Sequence, residues 1–272
     1  METISILGCG WLGLPLAGYL IGKGYKLKGS TRTRSVLEVI RARGIEPFYL
    51  VLDPGLRGDS VDEFFNCDVL VINFPPERRD DIADYHPAQI KSLVARMESS
   101  PVKKVLFVSS TSVYPDLGRE VSEDDNAPPE KPSGIALLEA ERLLRDSSRF
   151  ETTIIRFGGL IGYDRKPGRF LAGKKGITGG NVPVNLIHRD DCLGIIHRII
   201  ERSAWGETFN ACADEHPARK EYYTAQARKL GLEPPGFEDA AAGGGFKLVR
   251  SDKLKKLLEY RFKYPDPRFI DD

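Results

Sequence analysis

An apolar pentapeptide, TISIL at Thr3 to Leu7, runs directly into GCGWLG, Gly8 to Gly13, and from there into the helical pattern LGLPLAGYLIGKG. A strand, a glycine turn and a helix in this order build a parallel α/β unit, and each glycine has its own task. Gly8 permits the tight turn, Gly10 lets backbone approach a pyrophosphate, and Gly13 lets the helix pack close to the strand. The helix N-terminus then offers backbone N–H groups to phosphate oxygens, so the backbone of Trp11 and Leu12 joins the three glycines in an expected dinucleotide cradle.

The second strand bears on which dinucleotide. An NAD-preferring site usually ends this strand with an acid that takes the ribose hydroxyls. Here the stretch is KLKGSTRTR, with Ser30, Thr31, Arg32 and Arg34 and no carboxylate. Hydroxyls and a guanidinium can hold a 2′-phosphate that a carboxylate would repel, so NADP(H) is the expected cofactor, with NAD(H) as the alternative. Asp53, closing the third strand, is a candidate for the adenine edge, and Asn73 and Phe74 after the fourth are candidate cofactor contacts.

The rhythm of apolar run, turn and helical segment repeats over about 160 residues, which predicts a doubly wound parallel sheet of Rossmann type. The expected strands are Thr3 to Leu7, Lys26 to Ser30, Pro47 to Leu52, Val69 to Asn73, Lys104 to Ser109 and Thr152 to Arg156. Helices are expected over Leu12 to Lys23, Val36 to Arg43, Tyr85 to Ser99 and Ile135 to Arg145. This predicts a dinucleotide-binding domain over residues 1–162 and a smaller, mostly helical substrate lobe over 163–272, with helices near Asp191 to Arg202 and Arg219 to Leu230. AAAGGG, Ala240 to Gly245, reads as a flexible loop.

Composition narrows the function classes. With 40 Lys+Arg against 39 Asp+Glu, the balance gives little support to nucleic-acid binding. No apolar run approaches the about 20 residues that span a bilayer. Cys9, Cys67, Cys192 and Cys212 form no CxxC pair, and the start of the chain lacks a leader-like pattern. Reduced thiols in a cytoplasmic protein are expected. The expected partner is a small molecule, and a homodimer is compatible with the pattern.

KKVLFVSSTSVYPD, Lys103 to Asp116, is an apolar strand ending in hydroxyls. Ligands of open parallel sheets bind beyond the carboxyl ends of strands, which puts Ser109, Ser110, Thr111 and Ser112 where a substrate would meet the cofactor. With GCGWLG, SSTSVY, RFGGLIG and NLIHRDDCLGII in this order, the chain resembles the extended short-chain dehydrogenase/reductases, the NAD-dependent epimerase/dehydratase family, over almost its whole length. Its GWLG, PGRFLAGK, LGLEPP and YPDP segments resemble the atypical, YeeZ-like members.

The resemblance implies a Ser, Tyr and Lys site acting on a bound nicotinamide cofactor, the Tyr giving or taking the proton. Alignment on Glu141 puts Ser133 in the tyrosine place and Leu137 in the lysine place, so the mechanism does not carry over intact. Ser110 matches the serine, with Ser112 close behind it. Tyr114 is the candidate replacement acid, and Tyr85 and His86 are further ones. The loop from Gly162 to Gly176 carries Arg165, Lys166, Arg169, Lys174 and Lys175 against Asp164. In typical relatives this region faces substrate, and its cations suit an anion such as a nucleotide sugar, a sugar phosphate or a carboxylate.

Further substrate candidates are His188 and Arg219, while Asp190 or Asp191 reads as a helix N-cap. No metal-ligand spacing is present. The expected function is an NAD(P)-dependent oxidoreductase or epimerase/dehydratase-like enzyme. The alternative is a non-catalytic NADP(H)-binding sensor or scaffold.

Overall fold

The computed structural model describes residues 1–238 and 245–270. Most of the expected AAAGGG loop lies outside them. Five strands in this part follow the predicted rhythm closely, β1 Thr3–Leu7, β2 Lys26–Thr31, β3 Glu46–Asp53, β5 Val69–Ile72 and β6 Lys104–Ser110, as does the later Glu151–Phe157, and a short additional strand, β4 Gly55–Gly58, follows β3. With Glu151–Phe157 and Thr208–Ala211 they form one sheet. Its order is Thr208–Ala211, Glu151–Phe157, β6, β5, β1, β2, β3, β4. The pairs β1–β2, β1–β5, β2–β3 and β5–β6 are parallel, and β3–β4 is antiparallel. The α/β Rossmann-type expectation holds.

β1 and β5 explain why the centre of the sheet is so legible. Ile4, Ile6, Val69, Leu70, Val71 and Ile72 are fully buried, as strands covered on both faces must be. The edge strand β4 was not expected, because GLRG has no apolar alternation. Its Gly58 lies so close to Tyr49 that a Cβ would stand 2.2 Å from the Tyr49 carbonyl oxygen. Proximity chose the residue there, not hydrophobicity.

The helices in this part are α1 Gly13–Ile21, α2 Leu37–Arg41, α3 Val61–Phe64, α4 Ile82–Glu98 and α5 Pro132–Arg145. α5 starts three residues earlier than the apolar periodicity suggests because Pro132 occupies its first turn, where a missing N–H costs nothing. Before α2, Arg34–Val36 forms a 3₁₀ turn.

Contacts divide the chain differently from a single cut at residue 162. The first unit comprises Met1–Val113, Pro128–Arg156 and Ile196–Thr208; the second comprises Tyr114–Ala127, Phe157–Ile195 and Phe209–Asp272. The chain re-enters the first unit at Ile196, and His197 there packs edge-on against Tyr19 and Tyr25. The second unit is less helical than expected. It holds two parallel two-stranded pairs, Leu186–His188 with Gly159–Ile161 and Lys247–Val249 with Arg119–Val121, beside the helix Arg219–Lys229. Among the described residues no helix is long and apolar enough to cross a membrane.

Candidate functional site

The glycine loop is pinned on its inner side and open on its outer side. Gly8 has φ +108°, and a Cβ there would stand 2.3 Å from the Asn73 carbonyl oxygen. A Cβ on Gly13 would stand 2.2 Å from the Gly8 carbonyl oxygen. Asn73 closes the arrangement, its side-chain amide donating to that same Gly8 oxygen at 3.0 Å. By contrast, a Cβ on Gly10 meets nothing within 4 Å. The exposed face at Gly10 leads to α1, whose N-terminus no side chain caps. A pyrophosphate lying over such a turn needs this combination: rigid glycines below, a bare one above, and helix N–H groups at the side. The residues present fit a dinucleotide.

Several predicted contacts have partners within the protein. Ser30 is buried, and its Oγ accepts the Gly8 N–H at 3.1 Å, so it braces the turn instead of facing a ribose. Leu12 turns its side chain into the core, leaving only backbone for a cofactor, and Trp11 beside it is half-buried. Thr31 Oγ1 accepts the Thr33 N–H at 3.1 Å. Asp53 is exposed and accepts the Tyr85 hydroxyl at 2.8 Å, while Arg32 is paired with Glu77 at 2.5 Å. Phe74, partly buried, meets the edge of His86.

At the end of β6 the hydroxyls divide into two groups. Ser109 donates to Glu141 at 2.6 Å, and the same carboxylate takes Arg156 Nε at 3.0 Å and a terminal nitrogen at 2.6 Å. All three side chains are buried. Ser109 is therefore a tie between β6, α5 and the strand Glu151–Phe157, a correction to its reading as a cofactor contact. Ser110 and Ser112 remain partly exposed, and Ser110 Oγ accepts the Ser112 N–H at 3.2 Å in a tight turn. α5 closes onto that turn through Gly134, where a Cβ would stand 2.3 Å from the Ser112 carbonyl oxygen. Ser133 is half-buried beside it, and Leu137 is 3% exposed, part of the core.

The replacement acids fare poorly. Tyr114 is 2% exposed, and its hydroxyl donates to Asn210 Oδ1 at 2.8 Å inside the second unit. A buried phenol with this bond is an anchor, which corrects its reading as the catalytic acid. The Tyr85 hydroxyl donates a hydrogen bond to Asp53, and this bond, with some burial, raises its pKa above the ordinary phenol value. His86 is fully buried, and burial lowers its pKa. Its Nδ1 meets Gln89 at 3.2 Å, whereas its Nε2 has no hydrogen-bond partner.

In the second unit, the HRDD stretch is an anchor for the C-terminal segment. Asp191 accepts the Tyr260 hydroxyl at 2.9 Å and the backbone N–H groups of Lys263 and Tyr264 at 2.6 and 3.0 Å. Asp190 takes the Tyr163 hydroxyl and the Lys263 ammonium. These long-range bonds displace the local N-cap role read from sequence. His188 is buried beside Tyr264, with ring centroids 4.0 Å apart, and its Nδ1 accepts the Asp190 N–H. That removes it from the substrate contacts.

The cationic loop is held by its glycines. A Cβ on Gly168 would stand 2.3 Å from the Gln226 carbonyl oxygen, so the glycine serves close packing on the helix Arg219–Lys229. Arg169 and Lys174 are exposed, and Lys175 pairs with Glu233 at 2.5 Å. Arg165 closes a short backbone bridge with Gly162. All four cysteines are buried thiols without disulfides, and burial pushes Cys9 and Cys212 up to about 12.

The fold and the pinned glycine loop define a Rossmann protein of the dinucleotide-binding class. The chain matches the NAD(P)H-binding family over residues 9–192. It is 36% identical to Protein YeeZ of Escherichia coli (strain K12) over 269 residues, 98% of each chain. A functionally unknown conserved protein from Silicibacter pomeroyi DSS has a similar structure, with TM-score 0.76 at 26% identity over 98% of this chain and 96% of that one. UDP-glucuronic acid 4-epimerase from Bacillus cereus, in complex with UDP-4-deoxy-4-fluoro-glucuronic acid and NAD, shares the fold. Its TM-score is 0.78 at 17% identity, over 96% and 94% of the two chains. The chain belongs to the NAD(P)H-binding family, with the short-chain dehydrogenase/reductase fold, and is a YeeZ-like member of it.

Proposed function

We propose that this protein binds NADP(H) in preference to NAD(H) and acts as an oxidoreductase or epimerase/dehydratase-like enzyme on a small anionic substrate, of nucleotide-sugar or sugar-phosphate type. The observation that carries the reading is the asymmetry of the glycine loop, closed behind Gly8 and Gly13 and open above Gly10. Arg32, at the end of β2 where an acid would mark an NAD site, supports the preference for a 2′-phosphate. The B. cereus epimerase, solved with a UDP-sugar acid and NAD, supports the substrate class.

When bound, the nicotinamide supplies the hydride chemistry. The chain's own part is orientation. Ser110 and Ser112, partly exposed on a turn fixed by Gly134, offer hydroxyl protons to a substrate oxygen. The buried tie from Ser109 through Glu141 to Arg156 holds that turn's strand in place. Arg165 and the exposed Arg169 and Lys174 carry positive charge that suits an anionic ligand. The reduced thiols suit a cytoplasmic enzyme.

The test is NADPH oxidation, and NADP⁺ reduction, across a panel of nucleotide sugars, sugar phosphates and keto acids. Turnover that falls about 10²-fold in Ser110→Ala is expected from loss of one oriented donor. Background rates across the whole panel, or a Ser110→Ala variant as active as the wild type, would count against it.

A further inference from the structure

Arg32 follows β2 and Glu77 follows β5, and these are the two strands that flank β1 in the sheet. Adjacent strands lie about 4.8 Å apart, so the ends of β2 and β5 are separated by about 10 Å with the glycine loop between them. The 2.5 Å contact between the Arg32 guanidinium and the Glu77 carboxylate therefore crosses over the carboxyl end of β1. Neighbouring arginines are paired more locally: Arg34 with Asp59 while stacked on Tyr49, Arg57 with Asp53, and Arg79 with Asp81. Of these four cations, Arg32 alone reaches across β1.

Stability does not account for the crossing. The side chains are 73% and 38% exposed, and ion pairs in water of this kind contribute little to folding. Placement does account for it. A carboxylate beside Arg32, just past the end of β2, would face the adenosine ribose of a bound dinucleotide, where the two cofactors differ. Against NADP(H), it repels the 2′-phosphate and competes with it for the guanidinium. Against NAD(H), it faces a neutral 2′-hydroxyl that can donate a hydrogen bond to it.

Resting on the dinucleotide reading above, we propose that Glu77 is a specificity-determining residue. It holds Arg32 in the cofactor-free protein and yields it to the 2′-phosphate, so its charge restrains the NADP(H) preference that Arg32 confers. The acid missing from the end of β2 is supplied from the far side of the loop.

Dissociation constants for NADPH and NADH, measured by calorimetry on the wild type, Glu77→Gln, Arg32→Ala and the double variant, test this. Glu77→Gln should tighten NADPH about five- to tenfold while leaving NADH within about twofold. In the Arg32→Ala background that gain should shrink to at most about twofold, because the competition for the guanidinium is gone and only the screened repulsion between exposed charges remains. An unchanged NADPH constant, or equal shifts for both cofactors, would overturn the proposal while leaving the dinucleotide reading intact. A folded wild type that binds neither dinucleotide overturns the reading itself, and this proposal with it.

Discussion

An inner layer beneath the end of β6 and the outer lip of the glycine loop use the same residue types to opposite ends. Inside, Arg156 and Glu141 form a bidentate pair with both side chains buried and Ser109 completing the carboxylate's bonds. At the lip, Arg32 and Glu77 make a single contact in water. The buried pair cannot separate without stranding a charge in a low-dielectric interior, whereas the exposed pair exchanges partners at little cost. The glycines repeat the contrast, since Gly13 touches backbone and Gly10 touches nothing within 4 Å. The inner layer sets geometry, and the lip is left able to respond to a ligand.

Substitutions should separate the two layers by size of effect. Glu141→Ala leaves the Arg156 guanidinium without its carboxylate and should cost about 3–5 kcal/mol in urea unfolding. A loss below about 1 kcal/mol would show that the inner pair is no more committed than the outer one. Gly13→Ala comes next, with about 1–3 kcal/mol expected from the clash with the Gly8 carbonyl. Asn73→Ala, which removes one hydrogen bond to the same oxygen, should cost about 1 kcal/mol.

A smaller effect concerns pH. The folded state holds His86 below the ordinary imidazole value because burial penalises its charged form. With the folded pKa depressed, this contribution to stability is present above about 6.5, the unfolded value, and is lost as pH falls toward the folded one. His86→Leu should flatten part of the acid-side decline in melting temperature below about pH 6.5, and identical profiles for the two proteins would argue against it. Smallest is Glu77→Gln, expected within about 0.5 kcal/mol of the wild type in stability, because the lip is not structural.

Legibility in the sequence follows the same division. β1, the glycine loop and β5 could be read because doubly covered strands are continuously apolar and because a phosphate turn demands glycine at set spacings. β4 could not, since Gly58 answers to the Tyr49 backbone and no local pattern records that. Among the site residues, Gly10 is bare, and Ser110 and Ser112 are partly exposed at the end of β6 and in the turn after it. Ser30, Ser109, Tyr114 and His188 do not act as read. Each is a polar residue near a site whose hydrogen bond goes to a partner more than 20 positions away or whose ring is sealed in by the fold, as with His188 against Tyr264. Glu77 was missed for the same reason, because its partner Arg32 lies 45 positions away. Its one visible signal was a carboxylate in FPPERR, just past a strand that borders the glycine loop.

The proposed function requires the open face above Gly10 to receive a pyrophosphate. Gly10→Ala tests it most directly, since the added methyl meets no protein atom within 4 Å yet stands where a phosphate would lie. We expect calorimetric titration with NADPH to show saturable binding by the wild type and at least a tenfold weaker constant for a variant that unfolds at the same temperature. Equal affinity in the two proteins would mean that the dinucleotide, if it binds, does not cross this loop.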